Sequence, residues 1–370
     1  LKQVIIIGGG LAGLIASIKL VRENIPCLLI EKKNYPQHRV CGEYISNEVV
    51  PFLKSQKLFP SKLNPVSIDT FLLSSTSGKH EKLKLDLGGF GISRYAFDFF
   101  LAEEAKKAGV EFLLDTTVEN VNFFKNEFEV STSTKSFSAD VVIGAYGKRS
   151  KLDKNLQRPF MQKKSPYVGI KYHIRYNHHP NTIALHNFPQ GYCGMSNVEN
   201  GITNLCYLVH RQQLKRAGSI EKLEQQVLST NPFLSDVFNS AEFLWESPET
   251  INEISFETKS PVENHMLMAG DAAGMITPLC GNGMAMAIRA GILAAQSIAS
   301  HYSDIHHKRN AMEEQYARAW RNEFQLRLFR GRQLQHLFGS KWMSSLAVNI
   351  ALHAKPLANY LVQSAHGEPF

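Results

Sequence analysis

The chain has 370 residues, of which 44% are apolar and 20% charged, the balance of a globular protein too long for one ordinary compact domain. Lys and Arg total 41 against 33 Asp and Glu, a formal charge of +8. This reads as a soluble surface with a mild excess of charge, or as affinity for phosphorylated cofactors or acidic lipids; no DNA- or RNA-binding motif accompanies it, so nucleic acid is not expected. No uninterrupted apolar run reaches the length of a membrane span, and the opening run Val4 to Ile7 lacks the features of a signal peptide. The five cysteines, Cys27, Cys41, Cys193, Cys206 and Cys280, are widely spaced with no CxxC pair, which argues against a disulfide framework or a metal site and for a reducing cytoplasm.

In chain order, Val4 to Ile7 is a short β-branched run, as in a buried parallel strand. A helix follows, with Leu11, Leu14, Ile15 and Ile18 on one face. Cys27 to Ile30 is a second strand, closed by Glu31. Residues 66 to 92 read as irregular strands and turns. Ser93 caps a helix over about Tyr95 to Lys107, and Gly109 ends it. A strand over Val110 to Leu114 comes next, then two hairpin strands between about Val118 and Phe137 that turn near Lys125-Asn126, then a buried strand over Asp140 to Ala145.

From Tyr167 the pattern alternates. Val168, Ile170, Tyr172 and Ile174 share one face of a half-buried strand, and Lys171, His173 and Arg175 share the other, read as a solvent-facing edge rather than the lining of an anionic-substrate cavity. Further strands are expected near 183–188, 193–198, 202–209 and 251–257, with helices over 211 to 240. His265 to Ala269 returns to a short apolar strand, followed by a glycine-rich loop and a helix from about Gly283 to Ser300. The rest reads as helices. The paired histidines His178-His179 and His306-His307 lack the spacing of metal ligands and are read as solvated.

Two motifs carry the chemistry. Gly8-x-Gly10-x-x-Gly13 follows a strand and opens a helix, and Glu31 stands eighteen residues beyond Gly13. That is the context of a dinucleotide site, with pyrophosphate at the helix N-terminus and the acid on a ribose. Gly8, Gly10, Leu11, Ala12, Gly13, Glu31 and Lys32 are its candidate contacts. The second motif runs from Gly270-Asp271 through Pro278 to Gly281-Asn282-Gly283-Met284. Asp271 is placed to bind a sugar or ribityl hydroxyl, and the amides from Gly281 onward open a helix whose positive end would favour negative charge on a reduced ring.

These two segments resemble the FAD signatures of the flavoprotein superfamily that includes para-hydroxybenzoate hydroxylase, the geranylgeranyl reductases and the flavin-dependent halogenases. Asp271, Pro278, Gly281 and Gly283 match its second motif. Arg39, before Cys41-Gly42, and Arg94, in an Arg-x-x-x-Asp pattern with Asp98, lie where members place arginines against the cofactor. Val118 lies where the backbone meets adenine. The resemblance is good over about 1–150 and 260–300 and loose between them. It implies non-covalent FAD on a discontinuous Rossmann-like α/β domain, with an inserted antiparallel substrate domain and a helical tail: residues 1–160 and 259–300 for the cofactor, 161–258 for the substrate, with the strands near 66–92 joining it, and 301–370 for the tail.

The pattern also departs from the superfamily. Tyr146-Gly147 stands in place of an Asp-Gly pair, which puts a hydroxylase-type NADPH docking mode in doubt. No Trp-x-Trp-x-Ile-Pro motif surrounds Trp245, Trp320 or Trp342, so halogenation is not expected. The reading is an FAD-dependent oxidoreductase acting on an organic, apolar substrate that is lipid-like or carrier-bound, with NAD(P)H as a transient electron donor. Reduction of a carbon–carbon double bond is favoured slightly over oxygenation by a monooxygenase. A flavin-binding electron carrier without turnover is the rival from another class. Cys41 is the weak catalytic candidate, as gate or proton donor, against the plainer reading of a small packing residue. In the tail, Arg327, Arg330, Arg332 and Lys341 beside Phe329, Leu337, Phe338 and Trp342 suggest either ordinary amphipathic packing or contact with a membrane surface.

Overall fold

The computed structural model describes residues 3–163, 165–252, 254–335, 341–364 and 366–370. Leu337 and Phe338 lie outside the described residues, as does the side chain of Lys341.

The β-branched runs that begin and recur along the chain assemble into one buried sheet. Its strand order is Val262–Glu263, Met266–Met268, Val141–Gly144, Val4–Ile7, Cys27–Ile30 and Glu111–Leu113. All neighbours are parallel except the first pair. Ile5 stands opposite both Val142 and Leu28. The strands Val4–Ile7 and Val141–Gly144 are buried along their whole length, as a sheet covered on both faces requires. The Leu11–Arg22 and Gly283–Ala299 helices pack against each other and share its core. The Arg94–Ala108 helix is capped as the sequence predicts: Ser93 Oγ accepts the Ala96 amide, and Gly109 takes a left-handed φ of 98°.

A second sheet has nine strands. Eight run in the order Glu242–Phe243, Tyr167–Arg175, Thr203–His210, Gly191–Asn197, Thr182–Phe188, Val66–Ser74, His80–Gly91 and Tyr44–Ser46; Glu249–Asn252 pairs beside Tyr167–Arg175. The segment 66–92 is thus two long strands whose mutual pairing is irregular between Ile68 and Thr70. Val66–Ser74 adds in parallel to Thr182–Phe188, which places it in the sheet formed by the middle of the chain. One face of this sheet is closed by the helices Arg211–Ala217, Ile220–Gln226 and Pro232–Ser240, around Ile170, Leu205 and Tyr207. The other face looks toward the first sheet.

Two expectations are corrected. The stretch 118–137 holds three strands, Val118–Phe124, Glu127–Thr132 and Ser136–Ala139. Thr132 Oγ1 accepts the Thr134 and Lys135 amides and closes a second turn, which a run of Ser and Thr conceals because those residues suit strands and turns alike. The expected strand near 251–257 reduces to Glu249–Asn252.

The tail forms the helices Ile305–Gln335, Lys341–His353 and Lys355–Gln363. Among the described residues no helix is long and apolar enough to cross a membrane.

Candidate functional site

The Gly8 amide donates to Ile30 O at 2.8 Å, and Gly8 has φ 105°, so the chain turns off its strand in a conformation that glycine alone takes freely. The turn aims the start of the Leu11–Arg22 helix at the end of the neighbouring strand, where Glu31 is buried. Glu31 Oε2 accepts the Gly9 amide at 2.7 Å, and Tyr35 donates to Gly9 O at 2.5 Å. The loop is therefore clamped from both its donor and its acceptor side. The Thr116 amide donates to Glu31 O at 3.0 Å, which brings the start of the Val118 strand to the same edge. Lys32 is exposed, and Leu11 and Ala12 are buried under the turn.

Two arginines meet the loop. Arg94 forms a bidentate pair with the fully buried Asp98 at 2.7 and 2.6 Å, and its Nη2 lies 3.6 Å from where a Gly10 β-carbon would stand. Burial opposes the Arg94 charge, but Asp98 outweighs it and holds the guanidinium well above its ordinary range. Arg39 approaches Glu31 Oε2 at 3.6 Å and Asp98 Oδ2 at 3.8 Å. Its Nε makes no hydrogen bond among the described residues, nor do the side-chain N and O of the neighbouring buried Gln37.

The second motif arrives beside the first. A β-carbon on Gly270 would meet Ala12 Cβ at 3.3 Å, and one on Gly291 would stand 2.4 Å from Ala12 O. The absence of side chains at both positions lets the later loop and helix sit directly on the phosphate helix. Lys259 donates to Asp271 O at 2.8 Å and to Lys148 O at 2.7 Å. Burial pulls this amine down to about 8 against the partial support of Asp271. Gly270, Asp271, Gly283 and Met286 line one crevice, backed by Trp320 and Phe324 of the Ile305–Gln335 helix. Pro278 is exposed, Gly281 turns at φ 63° beside the Tyr44 ring, and Asn282 stands at the N-cap position of the Gly283–Ala299 helix next to the buried Met284. Asn282 Nδ2 donates to Glu48 at 3.5 Å. Burial is the main reason the Glu48 carboxyl is pushed up, against Arg327 and the Gly367 amide.

The residues present fit a dinucleotide with a fused-ring head group. The phosphate loop is open at Gly10, Gln37 Nε2 and Arg39 Nε make no hydrogen bond among the described residues, and a β-carbon on Gly283 would come within 4 Å of Ile276 alone, at 3.8 Å, among them. Glu31, Arg39, Arg94 and the Gly8–Gly13 loop would hold the adenosine and diphosphate end. Asp271 and the Gly281–Met284 amides would hold the other.

Cys41 lies half-buried on the loop that joins this site to the nine-stranded sheet. Asn204 donates to Cys41 O at 3.2 Å and Ser196 to Gly42 O at 3.2 Å. Next to it, Glu43 is fully buried between two residues of the Tyr167–Arg175 strand: Lys171 donates to its Oε1, and His173 Nε2 stands 2.7 Å from its Oε2. The Arg94 amide also donates to Glu43 Oε1, at 2.8 Å. Burial raises the Glu43 carboxyl, but Lys171 and His173 together bring it below its ordinary value. Lys171 and His173 are therefore not on a solvent-facing edge; only Arg175 is exposed, paired with Glu242. The alternation was read correctly, but the second face is covered by the 36–43 loop, which a strand's own pattern cannot reveal. His38 stacks on Tyr95 at 4.5 Å and meets Trp245 at 4.5 Å. Burial, helped by Lys171 and His173, lowers it to about 4, so it is neutral near pH 7. His178 is also buried, with Nε2 3.0 Å from Thr182 O, whereas His179, His306 and His307 are exposed.

The nine-stranded sheet also carries an apolar cluster. Leu73, Leu185, Tyr192 and Leu208 pack with Met275 and Leu279 of the second motif and with Val348 of the Lys341–His353 helix. Sequence reading missed the Glu43 cluster, Lys259 and the backing by Trp320. The only signals for them were a charged pair on an otherwise apolar strand and an acid after Cys41-Gly42.

Comparison with known proteins agrees with this geometry. The FAD binding domain family matches residues 2–317. Conditioned medium factor receptor 1 of Dictyostelium discoideum is 22% identical over 80% of this chain, which spans only 63% of that protein's length. A digeranylgeranylglycerophospholipid reductase of Methanocaldococcus jannaschii is 26% identical over 87% of this chain and 82% of its own. Tryptophan 2-halogenase of Chondromyces crocatus is 22% identical over 80% of this chain and 61% of its own. Among solved structures, a geranylgeranyl bacteriochlorophyll reductase-like protein from Thermoplasma acidophilum superposes with a TM-score of 0.80 at 18% identity, covering 100% of this chain and 97% of that one. The loop geometry at Glu31 and Asp271 and a family match over most of the chain lead to one statement: the protein belongs to the FAD binding domain family, as an FAD-dependent oxidoreductase.

Proposed function

We propose that this chain saturates a carbon–carbon double bond of an apolar, lipid-like substrate. The supporting observation is the apolar cluster in which Leu73, Leu185, Tyr192 and Leu208 pack with Met275 and Leu279 of the second motif. A hydrocarbon chain entering beside this cluster would be buried among apolar side chains, with no fixed charge among them to orient a polar ring. Bound FAD supplies the hydride such a reduction needs. Glu31, Arg39 and Arg94 would hold the diphosphate end, and the Gly281–Met284 loop the ring end. Cys41 is the candidate proton donor to the second carbon, and Glu43, through Lys171 and His173, fixes the loop that carries it. Likeness to the digeranylgeranylglycerophospholipid reductases supports the reading. Five free cysteines favour a reducing compartment such as the cytoplasm.

The test is anaerobic single turnover: dithionite-reduced enzyme mixed with polyprenyl lipids, products read by mass. The gain of two hydrogens per double bond, with reoxidation of the flavin, is the expected result. Labelled oxygen in the product under air would support the monooxygenase reading instead, and a halogenated product in bromide would overturn both.

A further inference from the structure

Six of the nine large hydrophobic side chains exposed among the described residues fall between positions 326 and 360: Leu326, Phe329, Trp342, Leu346, Leu357 and Tyr360. Trp342 is 72% exposed and Tyr360 56%. The two C-terminal helices do not need these groups for folding, because their inner faces are already packed. Val348 is buried against Leu73, Leu185 and Met275, and Ala351 and Ala358 are buried against Leu83. The outer groups are therefore apolar area held in water on the far side of a completed core, the signature of a contact surface.

The charge around them has one dominant sign. From Phe324 to Gly367 the sequence contains no Asp or Glu but holds Arg330, Arg332 and Lys355, besides Arg327, which is paired with Glu323 and Glu48. Of the carboxylates on the His80–Gly91 strand, Glu81 is paired with Lys355 at 3.0 Å, and Asp86 accepts from Gln363 at 2.7 Å and keeps its charge. A second copy of this chain would bring cations against cations, so self-association is disfavoured. Tryptophan and tyrosine beside leucine, bordered by cations, match the interface of an anionic bilayer, where ring bodies enter the acyl boundary and cations meet phosphates.

We propose that the outer face of the helices Lys341–His353 and Lys355–Gln363 docks on an anionic phospholipid surface. The Lys341–His353 helix, through Val348, would then lie between the bilayer and the apolar cluster at Met275. That link to catalysis rests on the reductase reading, whereas the docking itself does not.

The experiment is sedimentation of the flavin-loaded full chain with vesicles of phosphatidylcholine alone, or of phosphatidylcholine with phosphatidylglycerol. Sedimentation with the anionic vesicles, little with the neutral ones, and a blue shift of tryptophan emission are expected. The double variant W342S/L346S should lower the partition by about tenfold or more with flavin content unchanged, and L357S/Y360S serves as a second, independent variant on the other helix. Failure to sediment with either vesicle, equal sedimentation with both, or unchanged binding by both variants would overturn the proposal. A dimer by light scattering that both variants dissolve would also overturn it, by assigning the face to self-association. None of these results depends on turnover, so they stand apart from the fate of the reductase reading.

Discussion

Gly291 lies against Ala12 so closely that a β-carbon on it would stand 2.4 Å from the Ala12 carbonyl oxygen. These residues belong to motifs almost three hundred positions apart, and their contact places the loop of Asp271 beside the loop of Gly10. An exposed helical glycine gains about 0.5–1 kcal/mol on replacement by alanine. Here the added carbon meets backbone, which cannot rotate away, so the overpacking cost of roughly 1–3 kcal/mol wins. Gly291→Ala is expected to lower the thermal midpoint and the bound flavin together; an unchanged midpoint with full flavin would show that the helices part at no cost.

Glu31 is buried and spends one oxygen on the Gly9 amide. Removing it leaves that donor without its acceptor and deletes the group proposed to bind the ribose. Hydrogen bonds to charged groups contribute about 1.5–3 kcal/mol each, so Glu31→Ala should weaken FAD binding by roughly 10- to 100-fold. Titration of apoprotein followed by flavin fluorescence measures this. Affinity equal to that of the parent would remove Glu31 from the site.

The Glu43–Lys171 pair is fully buried and joins the cofactor loop to the sheet. Breaking one side leaves an uncompensated buried charge, at a cost of about 3–5 kcal/mol, whereas removing both charges costs far less. Urea unfolding should show Lys171→Met to be strongly destabilised and E43Q/K171M to recover most of the loss. Glu43 has a lowered pKa in the fold, so its contribution is present above the unfolded carboxyl value and fades as pH falls through the folded one. A double variant as unstable as the single would show the pair to be incidental.

Legibility follows from where each signal sits. Glu31 and Gly8 are legible because a strand–turn–helix imposes fixed spacing along the chain, and the parallel strands because they are apolar end to end. Lys171 and His173 were misread because a strand's pattern reports its alternation and not what covers each face. The second turn at Thr132 was missed because its residues suit both states. The regular pairing of Val66–Ser74 with Thr182–Phe188 is a contact between segments more than one hundred positions apart, and no local feature announces it.

Lys259 offers a pH test of the second motif. Its amine is buried, donates to the Asp271 and Lys148 carbonyls, and lies 4.3 Å from the Phe160 ring centre. Burial takes it from the ordinary 10.5 down to about 8. The folded state therefore binds fewer protons than the unfolded state between those values, and stability rises with pH across that window. Below about pH 8 both states carry the charge and the burial cost is fully present; above the ordinary value neither does. Lys259→Met removes the titration. The stability of the parent relative to this variant should thus climb between about pH 8 and 10, by an amount on the order of 1–3 kcal/mol. Because the neutral amine still has hydrogens for both carbonyls, flavin content of the parent should hold steady across the window. A stability difference independent of pH would mean that the amine is hydrated in solution and that the Asp271 loop is held by something else.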